Sequence, residues 1–368
     1  MSRARDFADL AGSADAGGIT GKNLIINGNM AVAQRGNSFP SAANSTYVVD
    51  RFRVNRNGMD NLVYDLSQSS TSPDGFANSI KLDVTTAETS SADNENLKID
   101  TKIEAQNLQQ LKYGTSSAEQ ITMSFWVRSS TTGTYAIEIY TEDSSKQITN
   151  TYTVDSANTW EYKTVTFVGD TGGSINNDNG QGFLISWFLS VPSNYKTGNS
   201  TSWRTYNVDG RGYGQTADVA STTGEFYITG VQLEVGSATS FEHESYAETL
   251  RKCQRYFYRI GGNETDALGS NVGRIASGVM TGTGAGVVMR PNPVTMRDAP
   301  NVTFDDDISR YTVMTSRTTN AVTGVGDNQS TASTTAVGFT SGAASNDGDG
   351  AVLRSTRAQS TVSVDAEL

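Results

Sequence analysis

The stretch FYITGVQLEVGSATSFE, residues 226–242, decides the fold because it contains a strand that leads directly into a helical segment. Aromatic and β-branched residues recur along it up to Val235, which is typical of a β-strand. Simple alternation places the following residues on one face: Tyr227, Thr229, Val231, Leu233 and Val235. A Gly-Ser pair and an acidic turn then end the strand.

The segment that follows, SYAETLRKCQRYFYRI, has the firmest helical signal in the chain. Ser245 and Glu248 have the S-x-x-E spacing of a capping box. Apolar residues then recur at helical spacing: Tyr246, Leu250, Cys253, Phe257 and Ile260. Basic residues towards the carboxyl end suit the helix dipole, and the Gly-Gly pair at 261 and 262 ends the pattern. We therefore predict a connector helix over residues 245–261.

Short apolar or alternating runs precede this helix, separated by Gly, Asn, Ser and Asp clusters. The runs are NLIING, ITMSFWVR, TYAIEIY, YKTVTFVG and FLISWFLSV, beginning at residues 23, 121, 134, 162 and 183. FLISWFLSV is apolar almost throughout, which favours a central strand covered on both faces. The pattern predicts an all-β domain over residues 22–244, a jelly-roll β-sandwich with a closed barrel as the alternative.

Residues 262–368 contain no Lys or Trp and are rich in Gly, Ser, Thr, Ala and Val. Strands are indicated at GRIASGVMT, GAGVVMR, NVTFD and TTAVGFT. These signals predict a second, smaller β domain whose thin core favours burial against neighbouring subunits.

Residues 1–21 form a small-residue leader of mixed charge. ARDFADLAG would make one or two helical turns with Phe7 and Leu10 on one side. Two interpretations are open, a disordered tail or an anchoring peptide that orders on docking to a larger assembly. The leader lacks the apolar region of a secretory signal, and the absence of any apolar run of 18 residues predicts no membrane insertion.

The charge balance, 28 basic against 39 acidic residues, gives a net charge of −11. Because this sign repels phosphate and no Lys/Arg stripe opposes it, we predict no nucleic-acid partner. The single cysteine, Cys253, excludes an intrachain disulfide and fits folding in a reducing cytoplasm. One His and one Cys cannot form a zinc site of the usual His/Cys type.

No motif identifies catalytic chemistry. His243, which lies between two glutamates, suits a surface or capping role better than a nucleophilic triad. The adjacent acids at residues 305–307 are typical of a solvated turn, and no pair at a glycosidase separation can be assigned. SNDGDG at residues 345–350 fits an Asp-Gly turn or, alternatively, a calcium loop without the final Glu of an EF-hand. GTGAG at residues 282–286 lies outside any βαβ unit, so it is not evidence for nucleotide binding.

The loop SNYKTGNSTSWRTYNVDGRGYG, residues 193–214, interleaves aromatic residues with Asn, Asp and Arg. Aromatic faces stack on sugar rings, while these polar groups hydrogen-bond hydroxyls. The candidate glycan contacts are Trp203, Tyr206, Tyr213, Asn207 and Asp209. The alternative is that Trp203 anchors the loop onto the sheet.

Several stretches together resemble the carbohydrate-binding-module-like domain of bacteriophage tail-fibre and related virion proteins. They are NLIINGNMAVAQRGNSF, VVDRFRV, SFWVRS, GDTGGSINNDNGQGF and FYITGVQLEVGSATSFEHESYAETLRKCQRYFYR. In that family the last jelly-roll strand precedes a short helix with a Cys-Gln-Arg-Tyr signature, which here begins at Cys253. VVMRPNPVTMRDAPNVTF resembles small β domains that follow this unit, and MSRARDFADLAG resembles the N-termini of marine phage structural proteins. The resemblance covers most of residues 1–305.

The resemblance implies a non-enzymatic fibre or spike protein, assembled in the host cytoplasm and exposed on the virion. It implies a homotrimer that attaches to tail or capsid proteins through its N-terminus and recognises host-surface polysaccharide. Related modules often hold a structural calcium ion, but Asn29 and the Thr229–Gly230 pair replace the acidic residues expected there. We therefore expect no cofactor, with calcium as the open alternative. A capsid-attached fibre or decoration protein without receptor binding and a glycan depolymerase are the alternative functions.

Overall fold

A computed structural model describes residues 21–89, 92–260, 273–304, 307–315, 318–342, 346–355 and 360–368 of the 368-residue chain. These residues form an all-β structure with one α-helix and four short 3-10 helices. The structure divides into two compact units between Thr249 and Leu250, with Leu368 counted in the first. The predicted leader, with Phe7 and Leu10, lies outside the described residues.

The first unit is a jelly-roll sandwich of two antiparallel sheets. The six-stranded sheet contains, in spatial order, β1 (Ser38–Phe39), β4 (Val63–Ser69), β5 (Ser79–Thr86), β13 (Gly224–Val235), β7 (Ile121–Ser129) and β10 (Glu161–Phe167). The seven-stranded sheet contains β12 (Arg204–Thr205), β9 (Lys146–Val154), β8 (Gly133–Thr141), β11 (Gln181–Ser190), β6 (Asn96–Glu104), β3 (Phe52–Asn57) and β2 (Thr46–Val49). Short 3-10 helices lie at Ala105–Leu111, Ser193–Lys196 and Val208–Gly210.

The inner faces of the two sheets form one hydrophobic core. Met123, Phe125 and Val127 of β7 are fully buried there, as their alternation predicts. β11 lies between β6 and β8 and buries Phe183 and Trp187, which confirms the predicted central strand. The sandwich prediction is confirmed, and the closed-barrel alternative for this region is wrong.

The run NLIING at residues 23–28 forms a turn instead of the predicted strand. Asn27 and Met30 have left-handed φ angles of 62° and 57°. The Asn27 side chain donates to the carbonyl oxygens of Val32 and Asp50 and accepts from the Val32 amide. Because this side chain supplies local partners for the backbone, the turn competes successfully with strand formation.

β13 contains a bulge, so the single apolar face predicted for it is wrong. Its register against β7 shifts at the bulge, where Gly230 has a φ of +63°. An extra residue reverses the alternation of a strand. The core residues are Phe226 and Ile228 before the bulge and Val231 and Leu233 after it. Tyr227 therefore belongs to the outer face of the sheet.

The helix, α1 (Tyr246–Gln254), is shorter than the predicted helix over residues 245–261. The hydroxyl of Ser245 accepts a hydrogen bond from the Glu248 amide at 3.3 Å, which supports the predicted N-cap. Tyr246 is 59% exposed, so the prediction that it belongs to the apolar stripe of the helix is wrong.

The predicted helix ends early because the aromatic run after α1 forms β14 (Phe257–Ile260). β14 pairs antiparallel with β22 (Val362–Asp365), and Phe257 and Ile260 are buried. Aromatic and β-branched residues suit a strand, and this pairing overrides the helical spacing that the same residues satisfy. The Gly-Gly pair predicted to end the helix lies outside the described residues.

The second unit contains a closed barrel, an architecture the sequence did not predict. The barrel strands are, in spatial order, β15 (Gly273–Gly282), β16 (Ala285–Pro291), β20 (Thr334–Ser341), β19 (Thr319–Asp327), β18 (Tyr311–Thr315) and β21 (Gly350–Ser355). A three-stranded sheet contains β14, β22 and β17 (Asn301–Phe304), and a 3-10 helix lies at Ile308–Arg310. The predicted strands GRIASGVMT, GAGVVMR, NVTFD and TTAVGFT correspond to β15, β16, β17 and β20.

Candidate functional site

Trp203, the first predicted glycan contact, packs against the sandwich. Its indole nitrogen donates to the Val168 carbonyl at 2.7 Å. Its ring lies 5.6 Å from that of Tyr113 and 6.4 Å from that of Phe183, between centroids. These contacts support the interpretation that Trp203 anchors the loop.

Tyr206 lies at the surface of the same loop and is 40% exposed. Its ring meets Tyr140 edge-on at 5.2 Å, and the Arg211 guanidinium lies 5.6 Å from the ring centroid. Burial raises the pKa of Tyr206. Arg211 donates to the fully buried Glu138 carboxylate, with Nη2 2.8 Å from Oε2 and Nε 3.0 Å from Oε1. This ion pair holds the loop against the outer face of β8.

The remaining predicted contacts make hydrogen bonds and ion pairs within the loop. The Asn207 side chain accepts from the Asp209 amide at 3.2 Å and caps the 3-10 helix Val208–Gly210. Asp209 pairs with Arg204 at 3.2 Å, and Tyr213 is half-buried. Glycan binding by this loop stays a prediction.

An open groove of about 650 Å³ lies on the outer face of the six-stranded sheet. Its lining residues are Phe76, Ser124, Trp126, Tyr162, Gly230, Ala238, Thr239, Ser240 and Phe241. We call it the aromatic groove. Its volume falls within the roughly 300–1,000 Å³ that is typical of ligand pockets.

Strand pairing positions the first aromatic pair of the groove. Tyr162 of β10 is the direct cross-strand partner of Trp126 of β7, and their ring centroids are 5.5 Å apart. Alternate residues of a strand share a face, so Trp126 points outward while Phe125 and Val127 fill the core. Tyr162 is 45% exposed, so part of this aromatic surface is open to a ligand.

The second aromatic pair comes from the segments beside β5 and β13. Phe76 and Phe241 meet edge-to-face, with centroids 5.0 Å apart. His243 is exposed and its ring lies 5.4 Å from Phe76 and 4.9 Å from Phe241, in agreement with the predicted surface role. Gly230, at the β13 bulge, leaves space beside the Phe76 ring.

A charged row crosses the same sheet face next to the groove. Register places Tyr227 opposite Lys81 of β5 and Arg128 of β7. Lys81 lies 2.7 Å from Glu225 and 3.0 Å from Asp83, and Arg128 lies 3.8 Å from Glu225. Burial alone would lower the pKa of Lys81, but its hydrogen bonds to Glu225 and Asp83 raise it. The hydrogen bond from Lys81 lowers the pKa of Glu225.

The groove combines aromatic faces with the exposed side chain of Ser240; Ser124 is nearly buried, and the Thr239 hydroxyl donates to Glu234 and accepts from Lys22. Aromatic faces pack on apolar surfaces of a ligand, and hydroxyls both donate and accept hydrogen bonds. Within the described residues, no cluster of three or more His, Cys, Asp or Glu side chains could hold a metal ion. That part of the chain also contains no helix long and apolar enough to cross a bilayer.

Part of the groove had a signal in the sequence. The alternation in ITMSFWVR puts Trp126 on the face opposite the core, where a large aromatic side chain suggests contact with a ligand or partner. Tyr162 is outward in YKTVTFVG for the same reason. Phe76 and Phe241 lie outside the strands, and no local pattern brings them together.

No family model matches the chain, and no curated protein matches it. Solved structures that resemble it include the enzymatically active domain of tailspike protein 4 of bacteriophage CBA120, at 12% identity and a TM-score of 0.32. The match covers 58% of this chain and 22% of the tailspike domain, so this chain spans less than a quarter of that protein.

Two carbohydrate-binding modules also resemble the chain. One is a family 16 module, at 14% identity and a TM-score of 0.25, covering 48% of this chain and 92% of the module. The other is a family 11 module from Clostridium thermocellum in complex with a mixed-linked tetrasaccharide, at 12% identity and a TM-score of 0.28. That match covers 56% of this chain and 98% of the module.

Proposed function

We propose that the first unit binds a host-surface glycan at the aromatic groove, without catalysis, as part of a phage virion fibre. The observation that carries the proposal is the outward Trp126–Tyr162 pair in an open groove whose lining also includes the exposed Ser240. The apolar face of a sugar ring would cover these aromatic rings, and the hydroxyls of the groove would meet those of the sugar.

The groove supports glycan binding better than the loop at residues 193–214. The Trp203 side chain already contacts Val168, Tyr113 and Phe183. Tyr206 packs on Tyr140 beside Arg211. In the groove, by contrast, a cavity of ligand size adjoins the exposed part of Tyr162.

The virion part of the proposal rests on the sequence resemblance alone. It comprises attachment to tail or capsid proteins through residues 1–21, a homotrimeric state and exposure on the particle surface. Glycan recognition by a fibre is a binding function, so the proposal requires that the bound polymer keep its length.

Two tyrosines of similar exposure, one in the groove and one in the loop, allow an experiment to distinguish the two candidate sites. The labelled full chain is applied to an array of immobilised bacterial surface polysaccharides, beside the Tyr162→Ala and Tyr206→Ala variants. We expect saturable binding that Tyr162→Ala weakens by about tenfold, equivalent to roughly 1.4 kcal/mol, and that Tyr206→Ala leaves unchanged. Urea unfolding of both variants checks that the fold is intact.

Three outcomes would contradict the proposal. Loss of binding in Tyr206→Ala with normal binding in Tyr162→Ala would place the site in the loop. Binding of no polysaccharide by the wild-type chain would favour the decoration-protein alternative. Shortening of the bound polymer, measured by size-exclusion chromatography, would favour the depolymerase alternative.

A further inference from the structure

We infer that the aromatic groove selects uncharged glycans and disfavours acidic polysaccharides such as polyuronates or sulfated polymers. This inference rests on the proposed function and specifies the class of ligand. Three independent features of the first unit carry it, which are the lining of the groove, the pairing of the nearest cations and the distribution of charge along the chain.

The lining offers an anionic ligand no counter-charge. The described residues that line the groove are aromatic or small, and none of them carries a cationic side chain. A carboxylate or sulfate entering it would lose part of its hydration without gaining an ion pair from a lining side chain, which is unfavourable. A neutral sugar presents only hydroxyls and apolar ring faces, which this lining can satisfy.

The cations nearest the groove, Lys22, Lys81 and Arg128, each lie beside a carboxylate or a group hydrogen-bonded to one. The Lys22 amine donates to the Thr239 hydroxyl and, at 3.2 Å, to the Ser240 carbonyl, and the same hydroxyl donates to the Glu234 carboxylate at 2.8 Å. Lys81 contacts both Glu225 and Asp83, and Arg128 lies near Glu225. The Arg128 guanidinium also lies 4.8 Å from the Tyr227 ring centroid, and its Nε donates to the Asn158 carbonyl at 3.0 Å. Three cations, Lys22, Lys81 and Arg128, are therefore matched by three carboxylates, those of Glu234, Asp83 and Glu225, so they add no net positive charge beside the groove.

The charge of the whole chain reinforces this selectivity. Residues 250–368 contain 11 basic and 11 acidic residues, so the entire net charge of −11 belongs to residues 1–249, the segment that carries the groove. A negative surface lowers the local concentration of a polyanion, over a distance of about 8 Å at physiological salt.

A neutral polymer and its own sulfated derivative provide a matched test. Neutral glucans, galactans, mannans and xylans are first screened against the full chain, together with polyuronates and sulfated galactans. The tightest neutral polymer is then compared with its lightly sulfated form in 50 mM and 500 mM NaCl. We expect sulfation to weaken binding by about tenfold at the lower salt, and the neutral affinity to change less than about twofold between the two salts.

A charge placed in the groove provides the converse test. Ser240 lines the groove and is exposed, and Ser237 is exposed but does not line it. Ser240→Lys is expected to strengthen binding of the sulfated polymer by about tenfold at 50 mM NaCl, with most of the gain lost at 500 mM. Ser237→Lys changes the net charge equally and is expected to give a much smaller gain.

The outcomes distinguish a failure of the predicted selectivity from a failure of the proposed function. Tightest binding of an acidic polymer, lost in Tyr162→Ala, would overturn the selectivity and leave glycan binding by the groove intact. Binding that Tyr162→Ala does not affect, or no binding at all, would overturn the proposed function and the selectivity with it. Equal gains in Ser240→Lys and Ser237→Lys would show that overall charge, and not the groove, controls the choice of ligand.

Discussion

Gly230 lies so close to Phe76 that a β-carbon on it would be 2.7 Å from the Cζ atom of the Phe76 ring. The φ of Gly230, +63°, is also one that glycine adopts more readily than other residues. The bulge that reverses the faces of β13 thus also leaves the space in which an aromatic residue of the groove packs. A single glycine links the strand geometry to the candidate site.

Gly230→Ala is expected to weaken both stability and ligand binding. The left-handed backbone costs an alanine about 1 kcal/mol, and the displaced Phe76 ring adds to that cost. We expect the free energy of unfolding in urea to fall by about 2 kcal/mol, and affinity for the groove's polysaccharide to fall with it because Phe76 must move.

Gly236 offers a control with a similar backbone. Its φ is +81°, and a β-carbon there would meet no atom within 4 Å. Gly236→Ala should therefore lose only the conformational contribution, about 1 kcal/mol, and bind normally. Equal effects of the two substitutions on binding would contradict a role for the Gly230–Phe76 contact.

A second prediction concerns the buried ion pair between Glu138 and Arg211. Glu138 is fully buried and the Arg211 side chain is only 12% exposed. Glu138→Gln keeps the shape but leaves the Arg211 charge buried without its counter-charge. We expect the free energy of unfolding to fall by about 3 kcal/mol, measured by urea unfolding.

The same substitution at an exposed glutamate provides the reference. Glu142, just beyond the end of β8, is exposed, so Glu142→Gln should change stability by less than about 0.5 kcal/mol. Removing both charges in Glu138→Gln/Arg211→Gln should recover part of the loss, because no unpaired charge then remains. A double variant less stable than the two single losses added together would argue against this explanation.

The sequence predicted the sandwich well where one periodicity held along a whole strand. Met123, Phe125 and Val127 alternate without interruption, and all three are buried as predicted. Prediction failed where one residue shifted the in-and-out alternation of a strand or supplied hydrogen-bond partners that compete with strand pairing. Gly230 reverses the faces of β13, and Asn27 closes a turn in place of a strand. Neither effect can be read from the periodicity of apolar residues.

The candidate site was harder to predict because its parts are distant in the sequence. Trp126 and Tyr162 become neighbours only through the register of β7 and β10. Phe76 and Phe241 come from segments outside the strands and meet through tertiary packing. The composition of residues 193–214 instead favoured that loop as the glycan site. Local sequence shows which residue types occur, but it does not show which aromatic rings pack against the rest of the fold.

The third prediction concerns pH and the ion pair between Lys81 and Glu225, beside the groove. The hydrogen bond from Lys81 lowers the pKa of Glu225 in the folded chain below the value of about 4.3 that glutamate has when unfolded. A carboxyl group whose pKa is lowered by folding stabilises the fold above its unfolded pKa, and this stabilisation is lost as pH falls through the folded pKa.

Glu225→Gln should therefore reduce the free energy of unfolding by about 0.5 kcal/mol at pH 7, a small value because both side chains are partly exposed. Urea unfolding of the wild type and the variant between about pH 7 and pH 3 should show the two stabilities converging below about pH 4. A difference that stays constant across this range would mean that Glu225 stabilises the sheet by packing or neutral hydrogen bonds, and not through its charge.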